Sequence, residues 1–186
     1  MVADQTSVGS ARERILEAAE RVTTEVGAAR MTLDGVAHAA GVSKGGLLYH
    51  FPSKESLLGA LAQRYVDSFD ECIGAARGEL QEGSSRDLKA CILGVLGSDP
   101  RSKGMGAVLL ATAANDLALL EVIRERIAEY TAEIEAQSAD FARAAIVSLA
   151  VDGLKMRESL RISPFTEAQR EEIVNELLKM ADEAYR

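Results

Sequence analysis

The stretch Thr32-Leu-Asp-Gly-Val-Ala-His-Ala-Ala-Gly-Val-Ser43-Lys-Gly-Gly-Leu-Leu-Tyr-His-Phe51-Pro-Ser-Lys-Glu55-Ser-Leu-Leu58 decides the fold. Thr32 is placed to cap a short helix, since its hydroxyl oxygen can accept a first-turn backbone amide that has no partner inside the helix. The inward residues of that helix are Leu33, Val36, Ala37 and Ala40. Gly41-Val42-Ser43 interrupts it, and Ser43 is placed to cap the next helix, from Lys44 to about Phe51. Pro52-Ser53 ends that segment, and Ser53 opens a long helix running to about Leu80. Two short helices joined by a turn containing glycine have the proportions of a helix-turn-helix, whose second helix can lie in the DNA major groove.

Upstream, Ser10-Ala-Arg-Glu13 has the spacing of a capping box, in which Ser and Glu satisfy each other's unpaired amides. Ile15, Ala18, Ala19, Val22 and Val26 repeat at helical spacing until Gly27, a residue suited to a left-handed stop. Downstream of a break at Glu82-Gly83-Ser84-Ser85, a helix marked by Leu88, Cys91, Ile92, Val95 and Leu96 stops at Gly97-Ser98-Asp99-Pro100. Met105 to Ala114 reads as a buried helix, and Leu120, Ile123, Ile127, Tyr130 and Ile134 mark another, the two being separate or one bent element. A helix from Asp140 to about Leu160 follows; after Ser163-Pro164-Phe165, Thr166 with Gln169 caps a last helix carrying Ile173, Leu177, Met180 and Ala184. No segment has the two-residue period of a strand. The expected fold is all-α with about nine helices: a helix-turn-helix domain over 1–54 and a helical effector-binding and dimerisation domain over 55–186, linked by the helix from about residue 53.

A chain of 186 residues buries roughly two-thirds of its unfolded surface and can build a core without a covalent staple. Its apolar fraction is mostly Ala and aliphatic, with aromatics at 4% and no Trp, a composition that favours helices. Cys72 and Cys91 lie too far apart for a CxxC pair, and the chain shows no signal peptide and no apolar run of membrane-spanning length. A reduced, cytoplasmic setting is expected. The net charge is −8, yet residues 1–54 carry six basic side chains (Arg12, Arg14, Arg21, Arg30, Lys44, Lys54) against six acidic ones, leaving fifteen against twenty-three beyond. A neutral head that also holds His38 and His50 can meet a polyanion while an acidic body stays clear of it.

The quoted stretch strongly resembles the N-terminal domain of TetR-family transcriptional repressors, closely over residues 10–60; beyond that, helix number and length and Asp152-Gly153-Leu154 are similar. Two positions depart from the family pattern: Gly46 stands where Thr is usual, and Leu48 where Tyr is usual, with Tyr49 one residue later. That shift turns the ring by about 100° around the helix, so the family's usual Tyr-to-phosphate contact does not carry over. The resemblance implies a ligand-responsive repressor that binds a palindromic double-stranded DNA operator as a homodimer and uses no cofactor. The residues themselves supply contact chemistry: Thr32 and Ser43 at helix N-termini suit phosphate. Lys44 can reach guanine O6 and N7 or a phosphate, while Tyr49 and His50 can donate hydrogen bonds or stack on sugars. Gly45 and Gly46 weaken the helix, which makes sense where backbone must approach DNA closely, and Lys54 opposes its own helix dipole, which suits a phosphate anchor.

The helical body offers an apolar ligand site from Phe69, Cys72, Ile92, Leu96, Met105, Leu109, Ile123, Ile127, Tyr130, Phe141 and Met156, with Thr112, Tyr130 and Asp152 as polar selectors. The acidic balance favours a lipophilic cation over an anion as the small-molecule effector. Ala142, Ala145, Ile146, Leu149 and Gly153 form a small-residue seam, and Ile173, Leu177, Met180 and Ala184 an apolar stripe that would pair two copies. No ExxH, HExxH, GxSxG or phosphate-loop pattern is present, so neither a metal nor a catalytic centre is expected. An interaction protein governed by a protein partner is the alternative reading.

Overall fold

The computed structural model describes residues 10–27, 29–97 and 121–186. The helix expected over Met105–Ala114, and with it Met105, Leu109 and Thr112, lies outside them. Eight helices are described: α1 (Ala11–Val26), α2 (Leu33–Ala40), α3 (Lys44–His50), α4 (Lys54–Glu79), α5 (Arg86–Gly97), α6 (Glu121–Gln137), α7 (Phe141–Ser159) and α8 (Glu167–Ala184). No strand occurs among the described residues.

Local chemistry sets most of the boundaries. The side-chain oxygens of Thr32 and Ser43 accept the amides of Gly35 and Gly46 at 3.1 and 3.0 Å. Between them Gly41 takes φ +64° and ends α2, its amide donating to the carbonyls of Ala37 and His38; only glycine adopts that left-handed turn without a Cβ penalty. Ser53 and Ser56 cap α4 reciprocally, as Thr166 and Gln169 cap α8. At α1 the Ser10 oxygen accepts the Glu13 amide at 3.2 Å, while the Glu13 carboxylate pairs with Arg64 of α4. Arg64 also reaches Glu20 at 3.7 Å, so one guanidinium ties α1 to α4.

Two cores result. Ile15, Leu16, Met31, Val36, Leu47, Phe51, Leu57 and Leu61 close the first, which joins α1–α3 to the first turns of α4. Leu88, Ile92, Val95, Ile134, Val147, Val151, Leu154 and Leu177 form the second, from α5–α8. α4 serves both, because Phe69 and Ile73 further along it pack on the second core. α6 also reaches across, its first residues Val122 and Ile123 packing on the first core. Where α5 crosses α4, a Cβ built at Gly94 would lie 2.6 Å from Ile73 Cα and N. A glycine is required there for so close an approach.

Much of the stripe on the last helix is covered within the chain itself. Leu177 and Ala184 are buried in the chain's own second core, and Ile173 and Met180 pack against it. Packing on α5 and α7 removes most of that apolar surface from water, with Ile173 and Met180 left half-buried. On α7, Leu149 at 70% and Ile146 at 56% stay exposed, beside exposed Ala142, Ala150, Gly153 and Met156.

Candidate functional site

The recognition-helix candidate, α3, is held from within by Leu47 and Phe51, both buried. Phe51 donates its backbone amide to Leu47 O at 2.8 Å, and the Arg12 guanidinium lies 5.5 Å from its ring centre. Tyr49, two residues from Leu47, therefore points outward: it is 86% exposed and stacks edge-on against His50, ring centres 5.1 Å apart. Leu48 is much less exposed, at 36%. Lys44 opens the helix and donates to Asp34 of α2 at 3.0 Å, the two side chains 61% and 66% exposed. Gly45 has open space where a Cβ would stand. Thr32 and Ser43 use their oxygens as caps, which leaves each hydroxyl hydrogen to donate outward. Lys54 behaves differently from a free anchor, since its ammonium donates to the Ala29 carbonyl at 3.2 Å and thereby secures the segment before α2. His38 is exposed on α2.

Between α4, α5, α6 and α7 lies a cavity of about 520 Å³. Of the residues expected to line it, Phe69, Ile123, Ile127, Tyr130, Asp152 and Met156 do. Ile92 and Leu96 do not: they are buried in the second core behind the wall. Cys72 is half-buried next to the α4–α5 crossing, and Ile73, one residue on, takes the wall position instead. Phe141 is exposed at the start of α7, off the cavity. Sequence reading missed Tyr65, Asp70, Ile73, Arg126, Ser148 and Lys155. The spacing Tyr65, Phe69, Ile73 on α4 was the available signal, since residues four apart share a helix face.

The walls are aromatic and aliphatic, with polar groups set into them. Tyr65 and Phe69 stack edge-on, ring centres 4.7 Å apart. Lys155, only 6% exposed, holds its ammonium 5.7 Å from the Phe69 ring centre, a cation–π arrangement. Arg126 Nε donates to Asp70 at 2.9 Å and ties α6 to α4 across the wall. The Tyr130 hydroxyl is buried beside Cys91 and has no hydrogen-bond partner in good geometry among the described residues. Asp152 is reached by solvent at the rim, yet desolvation by the apolar walls pushes its carboxyl above the usual carboxylate range. Its charge is felt across the cavity. Burial first and Asp152 after it push Tyr65 up to about 12. The Cys91 thiol rises to about 11 through burial, with Asp152 adding to it, which keeps it protonated and unreactive. Tyr130 is raised too, chiefly by burial. Among the described residues no group of side chains is placed to hold a metal, and no helix is long and apolar enough to cross a membrane.

Comparison with known proteins agrees with this architecture. Residues 15–61 match the family model of bacterial regulatory proteins of the tetR family, and residues 86–182 match that of the tetracyclin repressor-like C-terminal domain. The HTH-type transcriptional regulator TtgR of Pseudomonas putida is 33% identical over 101 residues, 53% of this chain and 48% of that protein. The chain thus spans about half the length of the curated relatives it matches. A TetR-family member from Streptomyces coelicolor A3 superposes with a TM-score of 0.71 at 26% identity, covering 91% of this chain and 98% of that one. The multidrug binding protein EbrR, solved in complex with malachite green and also with proflavin, gives 0.69 at 25% identity in the former complex, covering 91% and 98%. With a head that presents α3 outward and a matched helical body enclosing a cavity, the chain belongs to the tetracycline-repressor-like family of bacterial regulators.

Proposed function

We propose that the protein is a ligand-responsive DNA-binding repressor that acts in the cytoplasm, holds a palindromic operator as a homodimer and releases it when a small lipophilic cation enters the cavity. The observation that carries this reading is the double role of Tyr65 and Ile123, which line the cavity and also pack on the core of α1–α4. A ligand that parts α6 from α4 pushes on the unit that carries α3. Two copies then hold their α3 helices at a different separation, and the match to half-sites roughly 34 Å apart is lost. Residues 1–54 are the DNA-reading unit in this reading and 55–186 the sensing and pairing unit.

On DNA, the hydroxyls of Thr32 and Ser43 donate to phosphates, Gly45 and Gly46 let the backbone approach, and Lys44, Tyr49 and His50 face the groove. Lys54 acts near the phosphates while keeping its bond to Ala29. Two copies pair through the α7 seam of Ala142, Ala145, Ile146, Leu149 and Gly153, whose larger members are otherwise exposed. Arg157 and Arg161 at the end of α7 complement the acidic outer face of α8, Glu171, Glu172 and Glu176, in a two-fold arrangement that crosses α7 of one copy with α8 of the other.

The ligand class follows from the cavity's charge. Asp152 is shifted by burial, with no cation among the described residues offsetting it, whereas Lys155 is already engaged over Phe69. Malachite green and proflavin, which EbrR binds, are delocalised aromatic cations; Asp152 supplies the counter-charge for such a molecule and Tyr65, Phe69 and Tyr130 its aromatic walls. The family is one of DNA-binding regulators, and the cavity is read as a sensor rather than a catalytic centre. A mobility-shift series on fragments of the source genome tests the reading. If roughly six to ten phosphates are neutralised, affinity falls by about 10³ to 10⁵ between 50 and 200 mM salt. A flat salt dependence with no preferred fragment would overturn it.

A further inference from the structure

We infer that Asp34 and Lys44 act together as the reader of one G·C base pair in the operator, an inference that rests on the DNA-binding reading above. Asp34 is the one carboxylate between Glu25 and Glu55, the stretch that contains the whole helix-turn-helix. It stands in the first turn of α2, where the dipole favours an anion; Lys44 stands at the first position of α3, where the dipole disfavours a cation. Each charge thus has a reason to face the other, and they meet across the turn at 3.0 Å. Both side chains remain more than half exposed, so the pair contributes little to stability.

A carboxylate on a surface that meets a polyanion is unfavourable unless it accepts a hydrogen bond there. The major groove offers it cytosine N4 or adenine N6 as donors. The Lys44 ammonium has three donors, one of which Asp34 occupies, leaving two beside the carboxylate. The protein edge therefore reads donor, donor, acceptor. Across a G·C pair the groove presents N7 acceptor, O6 acceptor and N4 donor in that order. Guanine O6 and cytosine N4 are hydrogen-bonded to each other, about 2.9 Å apart, close to the spacing of Lys44 and Asp34. An A·T pair alternates acceptor, donor, acceptor and then a methyl group, so the second ammonium donor meets no acceptor there.

Selection from a randomised duplex pool, run with the wild type, Asp34→Ala and Lys44→Ala, tests the pair. Circular dichroism first checks that both variants keep the helical fold, which two exposed positions permit. Wild type is expected to enrich a palindrome with one G·C pair per half-site that both variants relax, each by on the order of 10-fold. The double variant adds little at that position. Asp34→Ala also frees Lys44 for phosphate, so its binding to other sequences strengthens and its salt slope steepens by about one phosphate. If Asp34→Ala tightens binding to all sequences alike and leaves every base preference intact, or if the two variants relax different positions, the inference is wrong. A wild type that enriches no sequence would instead remove the DNA-binding reading itself.

Discussion

Replacing Gly94 with alanine tests how the sensing unit is assembled. The new Cβ would stand 2.6 Å from Ile73 Cα and N and 2.8 Å from Cys72 C, whereas carbon atoms rest about 3.5–4.0 Å apart. These are backbone atoms inside α4, which cannot rotate aside, so α4 and α5 must part by about 1 Å. Overpacking of this kind costs about 1–3 kcal/mol, and three backbone contacts put it toward the upper end. Alanine returns about 1 kcal/mol of helix propensity. The net loss of about 1–2 kcal/mol lowers the melting temperature of a chain this long by about 2–8 °C. Because Ile73 also lines the cavity, binding of a cationic dye should weaken in parallel. Thermal melts by circular dichroism, with dye titration by fluorescence, read both effects. A variant that melts at or above the wild-type temperature would refute the close-crossing argument.

Other outcomes follow from the same geometry. Asp152→Asn should weaken a cationic dye by about tenfold or more, as expected when a partly buried counter-charge is removed. In the wild type the carboxyl titrates above its usual value, so the stability of the free wild type relative to Asp152→Asn declines as pH rises from that usual value through the raised one. Over the same rise dye affinity should increase in the wild type and not in the Asn variant, in titrations from pH 4 to 8. Ile146→Glu with Leu149→Glu should give folded monomers by sedimentation with little operator affinity, since both side chains are exposed. Leu177→Glu should unfold the protein instead, because it puts an unpaired charge into the second core. Arg161 holds φ +57° after α7, so Arg161→Gly should raise stability by about 0.5–1 kcal/mol in denaturant titration.

Much of this was legible in the sequence where the deciding chemistry is local. Thr32, Ser43, Ser53 and Thr166 mark their helix starts because a cap and its amide are three residues apart at most, and Gly41 marks a left-handed turn for the same reason. The apolar stripe of α8 announced burial but not against what, and the chain's own α5 and α7 proved to be the answer. Cavity positions slipped by one residue at Cys72 against Ile73, because the phase of a long helix is set by what it packs on. Lys155 reads as a surface lysine until Phe69 is brought to it, and the pairing of Asp34 with Lys44 depends on the angle of a turn. Both join residues that no periodicity connects.

If cavity and operator compete through conformation, thermodynamic reciprocity makes the competition measurable in one experiment. The affinity of malachite green is determined for the free protein and for the protein saturated with its selected operator, while release of the labelled duplex is followed by anisotropy. The dye is expected to bind the DNA complex about 5- to 150-fold more weakly, a coupling of about 1–3 kcal/mol, and to displace the operator with the same factor. Equal affinity for the free and DNA-bound forms, with no operator released at saturating dye, would contradict it.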